Sequence, residues 1–493
     1  MPTSPNSAQS DPQRDDLPYR AAAARHPSGA YAAASLLCLA LAGCGSLPNR
    51  ADLPPPPSGP TSKADLAQKM EVHGPAGRLS ADQRKALIAR LQAEGRQSAM
   101  NRQLAVMTEV DKVELYTGNE AQLLIDGPHS FAAMFEALEG ARKAIYVESF
   151  IVEDESVARR FANLLMRKQA AGVPVFLLYD AYGSIATPAS YFDQLRAAGL
   201  NVCAYNPVNP LARPGYWGIT QRDHRKIVAV DGRQAFTGGI NISRVYASGS
   251  FSRGKQRDQS ELTRDGWRDT QVSLRGPAAQ ALEAVVRAGW IKQGCKGELP
   301  APGDTRPAPA GDKVVRIIAS SPDGESSQIY RALLSAIDTA QHSVHLTMAY
   351  FAPGRDLIDA LSEAARRGVD VTLILPSVSD FSPTLDAGRS YYEDLMEAGV
   401  KIHELQNAFL HAKTAVIDGV WSTIGSSNLD WRSMVVNNEV NAVILGADFA
   451  RDMEAMFQRD LAQSQRISVS AWAERSMLQK LKEWFARLGE RLL

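Results

Sequence analysis

Two stretches of this chain carry the same chemistry-bearing residues at the same spacing. HRKIVAVDGRQAFTGGIN holds His224, Lys226, Asp231, Gly238, Gly239 and Asn241, and HAKTAVIDGVWSTIGSSN holds His411, Lys413, Asp418, Gly425, Ser426 and Asn428. In each copy the His and Lys stand two apart in a run rich in β-branched residues, so on a strand both side chains leave one face. That face offers an imidazole, which can attack or protonate, beside a fixed cation. The Asn follows a Gly-containing stretch where the backbone can turn tightly or approach a ligand, and its amide can donate to an oxyanion. A single HxK is compatible with an ordinary surface strand; two copies agreeing at five positions in one chain do not arise readily by chance. Asp231 and Asp418 lie an odd number of residues past their His, which on a regular strand turns them to the opposite face, so they are expected to be structural.

These residues resemble the phospholipase D superfamily, whose HxKxxxxD motif, followed by G(S/G)xN, occurs twice in its two-domain members, and the bacterial cardiolipin synthases in particular. The resemblance runs from Gly118 to the C-terminus and includes DHRKIVAVDG, TGGIN, WRDT, RSYYEDLMEAGV and LHAKTAVIDGVWSTIGSSNLDWRS. It implies an α/β fold of two homologous phospholipase D-like domains packed about a pseudo-twofold with one shared active site. Chemistry agrees with sharing, because a phosphodiester needs a nucleophile, an acid and cations, and each half supplies only one His and one Lys. The resemblance makes His224 the nucleophile that forms a phosphohistidine and His411 the acid, with Lys226, Lys413, Asn241 and Asn428 on the phosphate oxygens. A carboxylate on the distal ring nitrogen would orient each imidazole. Glu439, in NNEVNAV, matches the family's acidic partner and is assigned to His411; Asp269, in WRDTQV, is assigned to His224.

The elements that must position these groups follow from periodicity. LLID, SFAAMFEALEGARK, AIYVESF, SVARRFANLLMRKQAAGV and PVFLLYD alternate β-rich and amphipathic runs, and VVRIIAS, QIYRALLSAIDTAQ, HSVHLTMAY, DLIDALSEAARRGV and DVTLILP repeat the scheme. We place one half at 111–296 and the other at 313–470, joined by a Pro- and Gly-rich linker at 297–312. Leu79 to Met107 reads as a helix leading into the body, opened by a capping box at Ser80 and Gln83. Ahead of it, 1–43 has the form of a lipoprotein-type signal peptide, with Leu41-Ala42-Gly43-Cys44 resembling a lipobox. That resemblance implies acylation of Cys44 and a periplasm-facing place in a bacterial cell envelope, on the outer membrane. NRADLPPPPSGPTSK then reads as a tether within 44–110.

Composition bounds the rest. The 493 residues are 45% hydrophobic and carry zero formal net charge, which gives ample core for two domains and no basic field for nucleic acid. No apolar run reaches the roughly 20 residues of a spanning helix. With Cys44 acylated and Cys38 removed, Cys203 and Cys295 are the remaining thiols in a compartment where a disulfide can persist, and two separate buried cysteines are expected over that bond. The histidines outside the two motifs lack metal-ligand spacing; neither metal nor cofactor is expected. Tyr216-Trp217 stands either against acyl chains or in the core, and Ser243 to Gly266 is a long polar insertion of the kind that forms a lid. Arg389, Tyr391 and Tyr392 are candidates to anchor a second lipid's phosphate. The segment 471–493 is an amphipathic helix that either docks on the protein or lies on a membrane surface.

The expected partners are thus phospholipids. The resemblance implies transfer of a phosphatidyl group from one phosphatidylglycerol to another, giving cardiolipin and glycerol. A phospholipase D-type hydrolase uses the same covalent step with water as acceptor; a nuclease or a catalytically silent lipid-binding protein fits the neutral charge and intact motifs less well.

Overall fold

The computed structural model describes residues 47, 49–55, 59, 61–207, 220–250, 259–264, 266–301, 309–322 and 327–492. Residues 1–43, expected to be an export signal, with Cys44, the Tyr216-Trp217 pair and the middle of the 243–266 insertion lie outside them.

The two alternating runs build two sheets of one design. In the first half the strand order is Val113–Ile125, Thr270–Arg275, Gln234–Gly238, Lys226–Val230, Ile145–Ser149, Val175–Asp180 and Asn201–Tyr205. In the second half it is Lys313–Ser320, Glu439–Leu445, Trp421–Gly425, Lys413–Ile417, Ser343–Met348, Asp370–Pro376 and Lys401–Leu405. In both, the last three strands are parallel and the rest antiparallel. The parallel strands read as continuous apolar runs because helices cover both their faces. Each HxK motif therefore opens a central strand, with sheet on either side and little freedom to shift register.

The halves meet through strands and through core. Val113–Ile125 pairs antiparallel with Lys313–Ser320, with Val315 opposite Tyr116. Between the sheets lies a shared apolar layer that includes Val272, Val286 and Trp290 from one half and Val416, Ile424, Val440 and Met453 from the other. Residues 44–493 accordingly form one compact unit.

Two expectations need correction, and the start of the insertion is placed. The Leu79 to Met107 helix is two helices, Ala81–Ala93 and Gln97–Val110, because Gly95 (φ 123°) and Arg96 (φ 46°) turn the chain between them. Arg96 then donates to the Asp418 carbonyl at 2.8 Å, and Leu66, Leu87, Leu91 and Met100 pack into the second half's core. The leading segment is thus part of the body. Cys203 and Cys295 are joined in a disulfide with a Cα separation of 5.7 Å. Gly294 (φ 70°) ends the helix Pro277–Gln293 and turns Cys295 back onto the strand that holds Cys203, a meeting that local sequence does not display. Cross-linking residues 92 apart restricts the unfolded chain by on the order of 4–5 kcal/mol. Finally, the start of the 243–266 insertion is packed inside: Tyr246 is fully buried, and the Ser250 amide donates to Asp126 at 2.9 Å.

Candidate active site

Both motif strands begin at the interface, where the backbone of each is bonded to the other half. The His224 amide donates to the Asn438 carbonyl (2.9 Å) and the Asn438 amide to the Arg222 carbonyl (2.8 Å). Likewise the His411 amide donates to the Arg268 carbonyl (2.8 Å) and the Arg268 amide to the Phe409 carbonyl (2.8 Å). The next residues after Asn438 and Arg268 are Glu439 and Asp269, so these bridges deliver each half's carboxylate to the opposite half's histidine. His224 Nδ1 lies 3.0 and 3.2 Å from the Glu439 carboxylate oxygens, and His411 Nδ1 lies 2.7 Å from Asp269 Oδ2. The pairing read from sequence, Asp269 with His224 and Glu439 with His411, is therefore reversed: the carboxylates cross the interface.

Arg268 locks this crossing. Fully buried, it donates to both Asp460 oxygens at 2.8 and 2.7 Å, tying the Asp269 segment to the helix Ala447–Ala462 of the second half. Such a buried bidentate pair is costly to break because either partner alone is left charged and unsolvated.

The Gly-containing stretches matter through close approach. A Cβ at Gly239 would sit 2.1 Å from Asp269 Oδ1, and one at Gly425 would sit 1.9 Å from Asn441 Oδ1. At the position matching Gly239 the second half has Ser426, whose hydroxyl donates to Glu439 Oε2. The shorter Asp269 needs the glycine; the longer Glu439 leaves room for a serine and is held by it.

Both lysines are buried and turned to the strand entrance: Lys226 Nζ donates to the His224 carbonyl at 2.5 Å and Lys413 Nζ to that of His411. Their ammonium groups lie 5.2 Å from the Phe150 ring and 5.9 Å from the Tyr350 ring, respectively. The asparagines differ. Asn241 accepts from the Ile151 amide (3.1 Å) and donates to the Tyr246 hydroxyl (3.2 Å), whereas the amide oxygen of Asn428 is buried without a hydrogen-bond partner among the described residues. Tyr246, which the sequence reading did not single out, also lies 3.1 Å from His411 Nδ1, linking Asn241 of one half to the histidine of the other. Its place in an insertion gave no local signal. Trp267 packs 5.2 Å from the His411 ring and stacks on Phe409 at 4.1 Å.

Asp231 and Asp418 stand at the far ends of the motif strands. Asp231 accepts from the amides of Arg142, Lys143 and Ala144 at 2.7–3.0 Å, and Asp418 accepts from those of Gln341, His342 and Ser343. Both have positive φ (58° and 55°), a conformation Asp tolerates, and each fastens the turn that enters a neighbouring central strand.

Burial and charge make the centre unusual. Burial, together with Lys226 and Lys413 and against the pull of Glu439, lowers His224 to about 4. Burial and the same two lysines hold His411 well below its ordinary value. Lys226 falls to about 7 and Lys413 to about 8, chiefly from burial. The two carboxyls part company: burial raises Asp269 to about 7, while His224, Lys226 and Ser426 hold Glu439 below the usual range despite burial. An anion entering between the lysines would restore their charge. The arrangement suits attack on, and protonation around, a single phosphodiester.

Arg389, Tyr391 and Tyr392 do not reach this site. Arg389 is bidentate to Glu404 (2.9 and 3.0 Å), Tyr392 donates to the same carboxylate (3.3 Å), and Tyr391 donates to Glu490. Their donors are spent on internal acids that the motif resemblance could not reveal. Among the other described histidines, His345 lies 2.8 Å from the Glu454 carboxylate, and Glu71, His73 and Glu114 place ligand-type atoms within 4.8 Å of one another across two strands. Arg78 and Lys112 lie 3.5 and 3.8 Å from Glu71, making the group an ion-pair cluster.

Comparison with known proteins agrees with this geometry. Residues 333–461 match the family model "Cardiolipin synthase, PLD-like domain". The chain is 33% identical over 377 residues to cardiolipin synthase 2 of Bacillus anthracis, covering 76% of this chain and 71% of that protein. It is 34% identical over 388 residues to cardiolipin synthase A of Pseudomonas entomophila (strain L48), covering 78% and 77%. In fold it is similar to the crystal structure of phosphatidylserine synthase from Haemophilus influenzae Rd KW20, with a TM-score of 0.57 at 14% identity over 76% of this chain and 95% of that one. The chain belongs to the cardiolipin synthase family of phospholipase D-like enzymes, and so to the phosphatidyltransferases of that superfamily.

Proposed function

We propose that this protein forms cardiolipin from two molecules of phosphatidylglycerol through a phosphohistidine at His224. The observation that carries the reading is the crossed pair: two buried histidines, each held at Nδ1 by a carboxylate of the opposite half, with Lys226 and Lys413 beside them. With Glu439 ionised and accepting from Nδ1–H, the Nε2 lone pair of His224 is free to attack phosphorus. The P–N bond forms as the P–O bond to the departing glycerol breaks. Asp269, pushed to about 7, keeps a proton against His411 Nδ1, so His411 carries its own hydrogen on Nε2; as that hydrogen passes to the glycerol oxygen, the Asp269 proton moves onto Nδ1 and the ring stays neutral.

In the second step His411 takes at Nε2 the proton from a terminal hydroxyl of the second phosphatidylglycerol and returns its Nδ1 proton to Asp269. That oxygen attacks phosphorus, the P–N bond breaks and His224 is regenerated. The lysines and Asn428 hold the phosphoryl oxygens throughout. Water is the competing acceptor, and aromatic cover at His411 from Trp267, Tyr246 and Tyr350 favours an ordered lipid hydroxyl over bulk solvent.

The test is product analysis from purified protein on phosphatidylglycerol vesicles. Cardiolipin and free glycerol in equal amounts are expected. Phosphatidic acid as the sole product at every lipid density would make the protein a hydrolase.

A further inference from the structure

An amphipathic helix in a water-soluble body ordinarily turns its apolar face inward. The C-terminal helix Met477–Leu488 does the reverse. Its most buried residue is Glu483, 2% exposed, which accepts from Arg475 Nε at 2.9 Å. On the same inward side Gln479 donates to Asp386 at 2.9 Å, and in the turn that follows the helix Glu490 accepts from the Tyr391 hydroxyl. Arg487 lies 4.5 Å over the Tyr391 ring. Met477, Leu478, Leu481, Trp484, Phe485 and Leu488 recur at helical spacing on the outer side and are 50–79% exposed. A contiguous stripe of this kind calls for a cover.

We propose that this face docks on the surface of a phospholipid bilayer containing anionic lipid, with the apolar side chains entering the acyl boundary. Charge selects that occupant over a second copy of the chain. The carboxylates of the helix and of the turn after it, Glu483 and Glu490, are turned inward onto Arg475 and Tyr391, while Lys482 is exposed beside the stripe and the exposed Arg491 reaches back to 5.9 Å from the Trp431 ring, so these residues leave a cation and no carboxylate beside the stripe. Two such faces repel each other; a layer of lipid phosphates attracts either one.

The helix is also linked to the catalytic centre. Gln479 grips Asp386 on the short helix Ser382–Arg389, which begins just after Asp380 and the 42%-exposed Phe381. Asp380 accepts from the Tyr350 hydroxyl at 2.6 Å, and the Tyr350 ring lies 6.2 Å from that of His411. A bilayer held by the C-terminal helix is therefore one short helix away from the second-half histidine.

The experiment uses the full chain and its Trp484. Vesicles of phosphatidylethanolamine and phosphatidylglycerol with brominated acyl chains are added, and the emission of the Trp484→Phe variant is subtracted from that of the natural protein. The Trp484 component should shift to the blue and lose at least half its intensity. A Leu481→Ser, Phe485→Ser, Leu488→Ser variant should turn over vesicle lipid about tenfold more slowly. Its rate on the same lipid in detergent mixed micelles should change by less than twofold, and its melting temperature should hold, since these side chains are exposed. A Trp484 component unmoved by vesicles would overturn the proposal. So would a dimer in sedimentation that the triple variant disperses while Trp484 stays unquenched, which would assign the face to a second copy. The fluorescence reads docking without turnover, so it stands apart from which lipid product is made.

Discussion

The two halves share strand order, motif and spacing, yet they surround their histidines differently. Beside His224 the first half buries Glu148, Asp223 and Arg225; at the same strand register the second half has Thr347, Leu410 and Ala412. Arg225 donates to the Glu439 and Ser320 carbonyls, and Glu148, pushed well up by burial and by Asp223, and Asp223, pushed up by burial, sit against it. Around His411 stand Trp267, Tyr246 and Tyr350 instead. The carboxylates repeat the contrast, with Glu439 lowered despite its burial by His224, Lys226 and Ser426, and Asp269 raised by burial. A duplicated motif thus yields two unlike groups, as a displacement with a distinct nucleophile and acid requires.

That contrast can be broken from either side. Replacing His224 or His411 with Ala should cost about 10⁴-fold or more in turnover, and the double variant should cost little beyond either single one, because the two act as a unit. Steady-state rates on phosphatidylglycerol, with a trap for the lipid adduct, check this; substantial activity in one single variant would refute a shared centre. The carboxylates should separate next. Glu439→Gln removes the charge opposite the attacking ring and should lower turnover by roughly 10³-fold, whereas Asp269→Asn, replacing a group already near neutrality, should cost about 10-fold to 100-fold. Equal losses would erase the distinction between the halves.

Exchanging the motif residues sharpens it further. Gly239→Ser drives a side chain into Asp269 and should leave at most about one hundredth of the activity, while Ser426→Gly only frees Glu439 and should leave about one tenth. Tyr246→Phe, which removes the hydroxyl shared by Asn241 and His411, should cost about tenfold with the fold intact. The mildest effect comes from pH. Lys226 and Lys413, lowered to about 7 and 8, lose charge as pH rises through those values, and Asp269 loses its proton near 7, so kcat/KM should decline above pH 7. His224, held near 4, stays unprotonated on the acid side, so no matching loss should appear until pH approaches 4. A profile rising steadily to pH 9 would contradict these environments.

What could be read beforehand was local. Alternation along a strand put His and Lys on one face, the odd offset of Asp231 and Asp418 sent them to the far turns, and the repeated strand–helix pattern gave two like halves. What escaped depended on segments far apart in the chain. The crossed carboxylates come from bridges at Asn438 and Arg268, each between halves, and same-half pairing was the natural guess from spacing alone. The Cys203–Cys295 bond and the docking of the leading helices on the second half are likewise meetings of distant segments. The C-terminal helix shows the same limit: its apolar stripe was plain, but which side faced inward was decided by Arg475, Asp386 and Tyr391.

The crossing of the carboxylates bears on how a cell can make this protein safely. His224 emerges from the ribosome 215 residues before Glu439, the group that orients it. During that interval the first half can close its own sheet around an imidazole that has neither its acid partner nor its second cation. On the proposed mechanism the nascent chain is then inert toward the lipids around it. On that same mechanism reactivity awaits the Glu439 strand, one of the last strands to be synthesised, so that only a completed molecule would open a phosphodiester.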